Sequence, residues 1–81
     1  MEKAIILLSC EIGTEYDIAK QLSKINEIKN VMITYGEYDL VVEAETENVQ
    51  KMDALIISQI RTLEKIRTTI TLRVTIQPSL K

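Results

Sequence analysis

The segment that decides the fold is a glycine between two apolar runs, VMITYGEYDLVV at residues 31–42. Glycine at the first central position suits a type II′ hairpin, so Gly36 and Glu37 are predicted to form a two-residue turn. Val31–Tyr35 and Tyr38–Glu45 then become two neighbouring strands. The segment also carries an acid, Asp39, which is typical either of a small charged-ligand site or of a tight turn alone.

Apolar patterns before the hairpin predict one strand and one helix. The continuous apolar run Ala4–Leu8 indicates a strand that is buried on both faces. Gly13 interrupts the pattern, and Thr14 is a candidate N-cap for a helix over Thr14–Ile25. Acids in the first turn of this segment would favour the helix dipole.

Patterns after the hairpin predict a second helix and a last strand. Thr46 or Asn48 is expected to cap the helix. Its apolar stripe has helical spacing and comprises Val49, Met52, Ile56, Ile60 and Leu63. Apolar and polar residues then alternate over Thr69–Gln77, which is the pattern of a strand with one apolar face. We expect Pro78 to end that strand.

The predicted order of elements, β-α-β-β-α-β, is that of a ferredoxin-like α+β fold. We predict a single domain over residues 1–81, with a four-stranded antiparallel sheet and two helices on one face. The first three strands carry apolar residues on both faces, for example Ile5 and Leu7 on one side and Ile6 and Leu8 on the other. The face without helices would therefore be apolar, and we expect a homodimer to form through it.

The composition argues against several classes of function. Ten basic and 12 acidic residues give a net charge of −2, which is not the basic footprint of a nucleic-acid-binding protein. The chain has no histidine, the commonest general base and metal ligand, so neither metal nor other cofactor is expected. The apolar run Ala4–Leu8 is too short for a signal peptide or a membrane span, which predicts a cytoplasmic protein with no membrane partner.

Few side chains are candidates for chemistry. Cys10 is the only cysteine, which fits a reducing compartment, and without a histidine base we interpret it as a structural residue. The threonine cluster Thr68–Thr71 has two readings. Its hydroxyls would either bind a ligand carboxylate or satisfy backbone groups at a sheet edge. Arg61 and several lysines are interpreted as ordinary solvated surface.

Two motifs carry a family resemblance. Residues 36–42 resemble the G-x-Y-D-hydrophobic segment of the effector domain in the Lrp/AsnC family of bacterial and archaeal transcriptional regulators. Residues 66–71 resemble the V-x-x-T-x-T segment that enters the last strand of that domain. The residues that the resemblance implies for ligand binding are Gly36, Tyr38, Asp39, Thr69 and Thr71. Lys65 departs from the glycine that many members have before the last strand.

The resemblance implies a function in regulating amino-acid metabolism. It implies a dimer through sheet faces, assembly into a tetramer of dimers, and an amino-acid effector bound in clefts between subunits. Because the chain begins close to the first strand, it resembles stand-alone versions of the domain that lack the helix-turn-helix part, so no direct contact with nucleic acid is expected.

Two alternatives to effector sensing stay open at this point. One is a pure interaction subunit that pairs with full-length Lrp-like regulators and has a degenerate ligand site. The other is an enzyme of the dimeric α+β barrel type, against which the lack of histidine and the apolar strands argue.

Overall fold

A computed structural model describes residues 1–79; residues 80 and 81 of the predicted domain lie outside the described part. The order of elements is the predicted one. The strands and helices are β1 (Glu2–Cys10), α1 (Glu15–Ser23), β2 (Ile28–Ile33), β3 (Leu40–Thr46), α2 (Val49–Leu55), which continues as a π-helical turn (Ile56–Ile60), and β4 (Ile66–Val74).

The four strands form one antiparallel sheet in the order β2-β3-β1-β4, which confirms the predicted fold class. β1 lies in the interior of the sheet. Its residue Leu8 pairs with Leu40 of β3 on one side and with Thr69 of β4 on the other. β2 and β4 are the two edge strands.

The core lies between the sheet and the two helices. Alternate residues of β1 and β3 point towards the helices, and each is at most 4% exposed: Ala4, Ile6, Leu8, Cys10, Leu40, Val42 and Ala44. They pack with Ile18 and Leu22 of α1 and with Met52 and Leu55 of α2. Burying a leucine or isoleucine side chain contributes about 1.5–3 kcal/mol, so this layer is the main source of stability.

The start of α1 differs from the prediction. Thr14 occupies the N-cap position, but its side chain makes no capping hydrogen bond. Its hydroxyl donates instead to the carbonyl oxygen of Glu11 at 2.6 Å, which closes the turn between β1 and α1. The helix is also shorter than predicted, since it ends at Ser23 rather than Ile25.

The hairpin prediction was wrong in its turn length. β2 begins at Ile28, three residues earlier than expected, and ends at Ile33, while β3 begins at Leu40. The connection therefore has six residues, 34–39, instead of two. The cause is that the Thr34 hydroxyl donates to the Tyr38 carbonyl at 2.6 Å, and Asp39 pairs with β1. Both contacts fix the path of the backbone beyond the end of β2.

The second helix changes geometry at Ile56. Asn48 is its N-cap, and its Oδ1 accepts from the Lys51 backbone N–H at 2.8 Å, whereas the Thr46 hydroxyl donates to the Asn48 carbonyl. The π-helical turn is closed by the Arg61 N–H, which donates to the Ile56 carbonyl at 2.9 Å. This wider turn places Ile60 on the buried side of the helix, five residues after Leu55.

β4 is shifted towards the N-terminus relative to the prediction. It starts at Ile66 instead of Thr69 and ends at Val74 instead of Gln77. The partner strand sets both limits, because Cys10 pairs with Ile66 and Lys3 pairs with Val74. Pro78 therefore does not end the strand.

Candidate functional site

The loop at residues 34–39 joins β2 to β3 and carries three of the predicted site residues. Gly36 is exposed and has φ +141°, a backbone conformation that side-chain-bearing residues rarely adopt. No heavy atom lies within 4 Å of the point where a Cβ would sit, so the glycine is required by backbone conformation and not by space. The loop is closed by the Thr34 N–H, which donates to the Asp39 carbonyl at 2.9 Å.

Free backbone donors line the outer part of this loop. Among residues 1–79, the N–H groups of Tyr35, Gly36, Glu37 and Tyr38 have no protein acceptor. Consecutive N–H groups of this kind can bind a carboxylate or another anion. The loop therefore offers unpaired donors to an anionic group of a ligand.

Asp39 links the loop to the end of β1. Its backbone N–H donates to the Leu8 carbonyl at 2.8 Å, and its Oδ2 accepts from the Cys10 N–H at 2.8 Å. No other hydrogen bond to its carboxylate occurs among the described residues. An ionised carboxylate offers about four acceptor positions. Asp39 thus has a structural contact and still has acceptor capacity for a ligand ammonium.

Cys10 lies beneath this carboxylate. Its side chain is buried with the core. Burial raises the pKa of the Cys10 thiol above its ordinary value of 9.0, a hydrogen bond with the Thr14 side chain opposes this increase, and the nearby charges of Asp39 and Glu15 reinforce it. The thiol is therefore neutral at pH 7 and is not a reactive thiolate.

Thr69 and Thr71 lie on β4, on the side of the sheet that carries the helices. They pair with Leu8 and Ile6, whose side chains belong to the core. β1 separates them from Asp39, so within one protomer the two halves of the predicted site lie two strand spacings apart, roughly 10 Å. The structure does not bring them together in a single subunit.

Sequence reasoning missed the surroundings of these threonines. Arg61, interpreted from sequence as ordinary surface, lines a groove with Arg67 and Thr69 and borders Thr71 in the adjoining groove. Arg61 and Arg67 are six residues apart in the sequence, and no helix or strand period connects them. The turn between the π-helical segment and β4 brings them together. Thr68 points to the other face of the sheet, where its hydroxyl bonds to that of Ser9.

The sheet face without helices is apolar, as predicted. Ile5, Leu7 and Val41 are half-buried at its centre. Met32, Ile70 and Leu72 flank them and are 39%, 40% and 50% exposed. We call this surface the open face. Its apolar residues come from all four strands, so it is a continuous patch and not a set of isolated side chains.

Within residues 1–79, no group of three or more cysteine, aspartate or glutamate side chains is arranged to hold a metal ion. None of the helices in the described part of the chain is long and apolar enough to cross a membrane.

Comparison with known protein families gives a match over nearly the whole chain. Residues 3–79 match the Lrp/AsnC ligand binding domain. The chain is 33% identical over 72 residues to the HTH-type transcriptional regulator FL11 of Pyrococcus abyssi, and 33% identical over 73 residues to its counterpart in Pyrococcus furiosus. These stretches cover 86% and 88% of this chain but 48% of each regulator, so the chain spans about half the length of the curated relatives it matches.

Solved structures show the same fold. The crystal structure of FFRP-DM1 has a TM-score of 0.89 at 34% identity and covers 91% of this chain and 99% of its own. The hypothetical protein PHS023 from Pyrococcus horikoshii has a TM-score of 0.90 at 32% identity, over 95% of this chain and 93% of its own. A transcriptional regulator from Neisseria meningitidis, solved as its L-Met complex, has a TM-score of 0.87 at 15% identity, over 98% of this chain and 53% of its own.

The last of these matches shows the fold alone, but the family match and the two Pyrococcus regulators agree with each other and with the motifs at Gly36–Val42 and Ile66–Thr71. The chain belongs to the Lrp/AsnC family, and residues 3–79 form its ligand-binding domain.

Proposed function

We propose that this protein is an effector-sensing module that binds an amino acid, or a related metabolite, between subunits and acts in the transcriptional regulation of amino-acid metabolism. It acts without catalysis and without DNA binding of its own. Its family membership and its similarity to HTH-type transcriptional regulators support a role in transcription. The proposal places it in the cytoplasm, where transcription takes place in bacteria and archaea.

The observation that carries this proposal is the loop at residues 34–39. The N–H groups of Tyr35 to Tyr38 have no acceptor among the described residues, and the carboxylate of Asp39, the next residue in the sequence, has unused acceptor capacity. An amino acid is a zwitterion and needs a donor set for its carboxylate and an acceptor for its ammonium group. This loop offers both within five consecutive residues.

A ligand that also contacts Thr69 and Thr71 must bridge two subunits, because β1 separates these threonines from Asp39 in one protomer. We propose that the open face forms a homodimer and that dimers assemble further into a tetramer of dimers. A ligand with contacts in two subunits binds one assembly more tightly than another, and it shifts the population towards the assembly that it prefers.

The direct test is isothermal titration calorimetry against the twenty amino acids, with the oligomeric state measured in parallel by light scattering. We expect at least one amino acid to bind and to change the assembly. A folded oligomer that binds none of them contradicts effector sensing by amino acids.

The second candidate is an interaction subunit that pairs with full-length Lrp-like regulators. The apolar open face favours it, because that surface would accept a homologous sheet whether or not a ligand is bound. Co-purification with a full-length family member from the same cell, with and without amino acids, separates the two candidates. Co-purification that no amino acid changes supports the interaction subunit.

A further inference from the structure

All three arginines of the chain lie in its last third and meet on one side of the molecule. Arg61, Arg67 and Thr69 line a groove of about 390 Å³ between the π-helical turn and β4. Arg61 also borders the adjoining groove of about 310 Å³, whose lining includes Thr71 and Arg73. Since Arg61 belongs to both, they form one surface, which we call the arginine groove.

Two of the three guanidinium groups have no carboxylate partner within residues 1–79. Arg73 pairs with Glu2 at 2.9 Å. No carboxylate of residues 1–79 lies within 4 Å of Arg61 or Arg67. Asp53 lines the part of the groove that also contains Thr71 and Arg73. Positive charge is therefore concentrated where Arg61 and Arg67 meet, in a chain whose net charge is −2.

The hydroxyl groups in the groove add uncharged donors. Thr69 is half-buried and Thr71 is exposed, and neither hydroxyl has a hydrogen-bond partner in the described part of the chain. Thr68 is different, because its hydroxyl is bonded to that of Ser9 on the open face. Thr69 and Thr71 are alternate residues of one strand, so they point to the same side, towards Arg61.

The chemistry of this donor set selects an oxyanion. A guanidinium donates two parallel N–H bonds to a phosphoryl or carboxyl group, and it is always charged. Two unpaired guanidinium groups balance the two negative charges of a terminal phosphoryl group, whereas a single carboxylate needs only one. We propose that the arginine groove binds a small ligand through a phosphoryl group.

This site differs from the amino-acid site proposed above. Its charged groups are Arg61 and Arg67, whereas the loop at residues 34–39 relies on backbone N–H groups and Asp39. The two sites share the threonine pair, so occupation of one is expected to affect the other when subunits assemble. Failure of amino-acid binding leaves phosphoryl binding intact, because neither arginine belongs to the loop.

The test is calorimetric titration of the wild-type protein with inorganic phosphate, pyrophosphate and ATP at low ionic strength, with succinate as a carboxylate comparison. We expect a dissociation constant below about 1 mM for pyrophosphate or ATP, and weaker binding of succinate. Arg61→Gln and Arg67→Gln should each weaken binding at least about tenfold, since each removes a charged hydrogen-bond donor. Arg61→Lys keeps the positive charge but loses the paired N–H donors of the guanidinium group. It should weaken binding by less than Arg61→Gln does.

Matched controls distinguish a specific binding site from nonspecific electrostatic attraction. Lys20→Gln removes one exposed charge from α1, far along the chain from the groove, and should change the dissociation constant by less than about twofold. Asp39→Ala should leave phosphoryl binding unchanged. Two-dimensional NMR of the wild-type protein, with pyrophosphate added, should shift the amides of Arg61, Thr69 and Thr71.

Three outcomes overturn the proposal: no binding of any phosphoryl compound, equal losses in Lys20→Gln and Arg61→Gln, or succinate binding as tightly as pyrophosphate. The NMR experiment keeps the proposal testable if an arginine variant does not fold.

Discussion

The Asp39 carboxylate accepts a hydrogen bond from the Cys10 backbone N–H at 2.8 Å, across 29 residues of sequence. This contact joins the loop at residues 34–39 to the last residue of β1. A ligand that engages Asp39 therefore acts on a residue that already connects the loop to β1.

Asp39→Ala is expected to weaken both folding and binding. It leaves the half-buried Cys10 N–H without its acceptor, which should lower the free energy of unfolding by about 1 kcal/mol. Amino-acid affinity should fall at least about tenfold, because the ammonium partner is lost. Urea denaturation and calorimetry measure the two effects. Glu37→Ala is the matched control, since it removes an exposed acid of the same loop that makes no hydrogen bond among the described residues. If the two variants bind amino acids with the same affinity, the role of Asp39 in the loop is purely structural.

The open face should govern assembly. Leu72→Lys places a charge where β4 presents an apolar side chain that is 50% exposed in the protomer. Burying an unpaired charge in an interface is strongly unfavourable, so we expect the dimer to dissociate. Light scattering at micromolar concentration should report a folded monomer. Ile12→Lys changes a 94% exposed residue outside the open face and should leave the mass unchanged. If the Leu72→Lys variant forms a dimer as stable as that of the wild-type protein, the open face is not the dimer interface.

Gly36→Ala should be destabilising through the backbone alone. At φ +141° an L-residue is strained, and the cost is about 1–3 kcal/mol, while nothing occupies the space of the added methyl group. Thermal denaturation measures the loss. Chemical synthesis with D-alanine at position 36 offers a control, because a D-residue tolerates this conformation. If both substitutions destabilise the protein equally, a steric contact and not backbone strain is responsible.

The caps of the two helices should respond differently to alanine. Asn48→Ala removes a side chain that accepts from the Lys51 N–H, and it should cost about 1 kcal/mol. Thr14→Ala removes no such capping bond, so α1 should keep its helicity and the loss should come only from the bond to the Glu11 carbonyl. Hydrogen exchange in the first turn of each helix distinguishes the two. Faster exchange at the start of α1 in Thr14→Ala would show that its hydroxyl does cap the helix.

The protein should lose stability at alkaline pH through Cys10. Burial, as the largest cause, raises the pKa of this thiol in the folded protein above the ordinary value of 9.0. Below that value both states hold the proton, and the contribution to stability is complete. As the pH rises further, the unfolded thiol ionises first, so the free energy of unfolding falls until the folded thiol also ionises.

Urea denaturation at several pH values, in the wild-type protein and in Cys10→Ala, measures this contribution. The wild-type protein should lose more stability than Cys10→Ala above about pH 9. Parallel curves for the two proteins would mean that the thiol has the same pKa in both states.

The candidate site could be predicted only in part. The glycine and acid at Gly36 and Asp39 are visible as a turn signal, and the structure shows free donors and an acceptor there. The six-residue length of the loop was not predictable, because it depends on hydrogen bonds between Asp39 and β1. Arg61 gave no local signal, since its neighbours in the arginine groove come from a strand that begins five residues later.

The sequence by itself determined the order of elements and the apolar character of both faces of the central strands. The continuous apolar run of β1 and the helical spacing in α1 are local properties, and each follows from the geometry of its own segment. Tertiary structure alone decided where β4 begins and ends, how the hairpin closes, and which arginines and threonines meet. Those features depend on pairing between residues that are far apart in the sequence, such as Cys10 with Ile66. Such a pairing cannot be predicted from the periodicity of either segment.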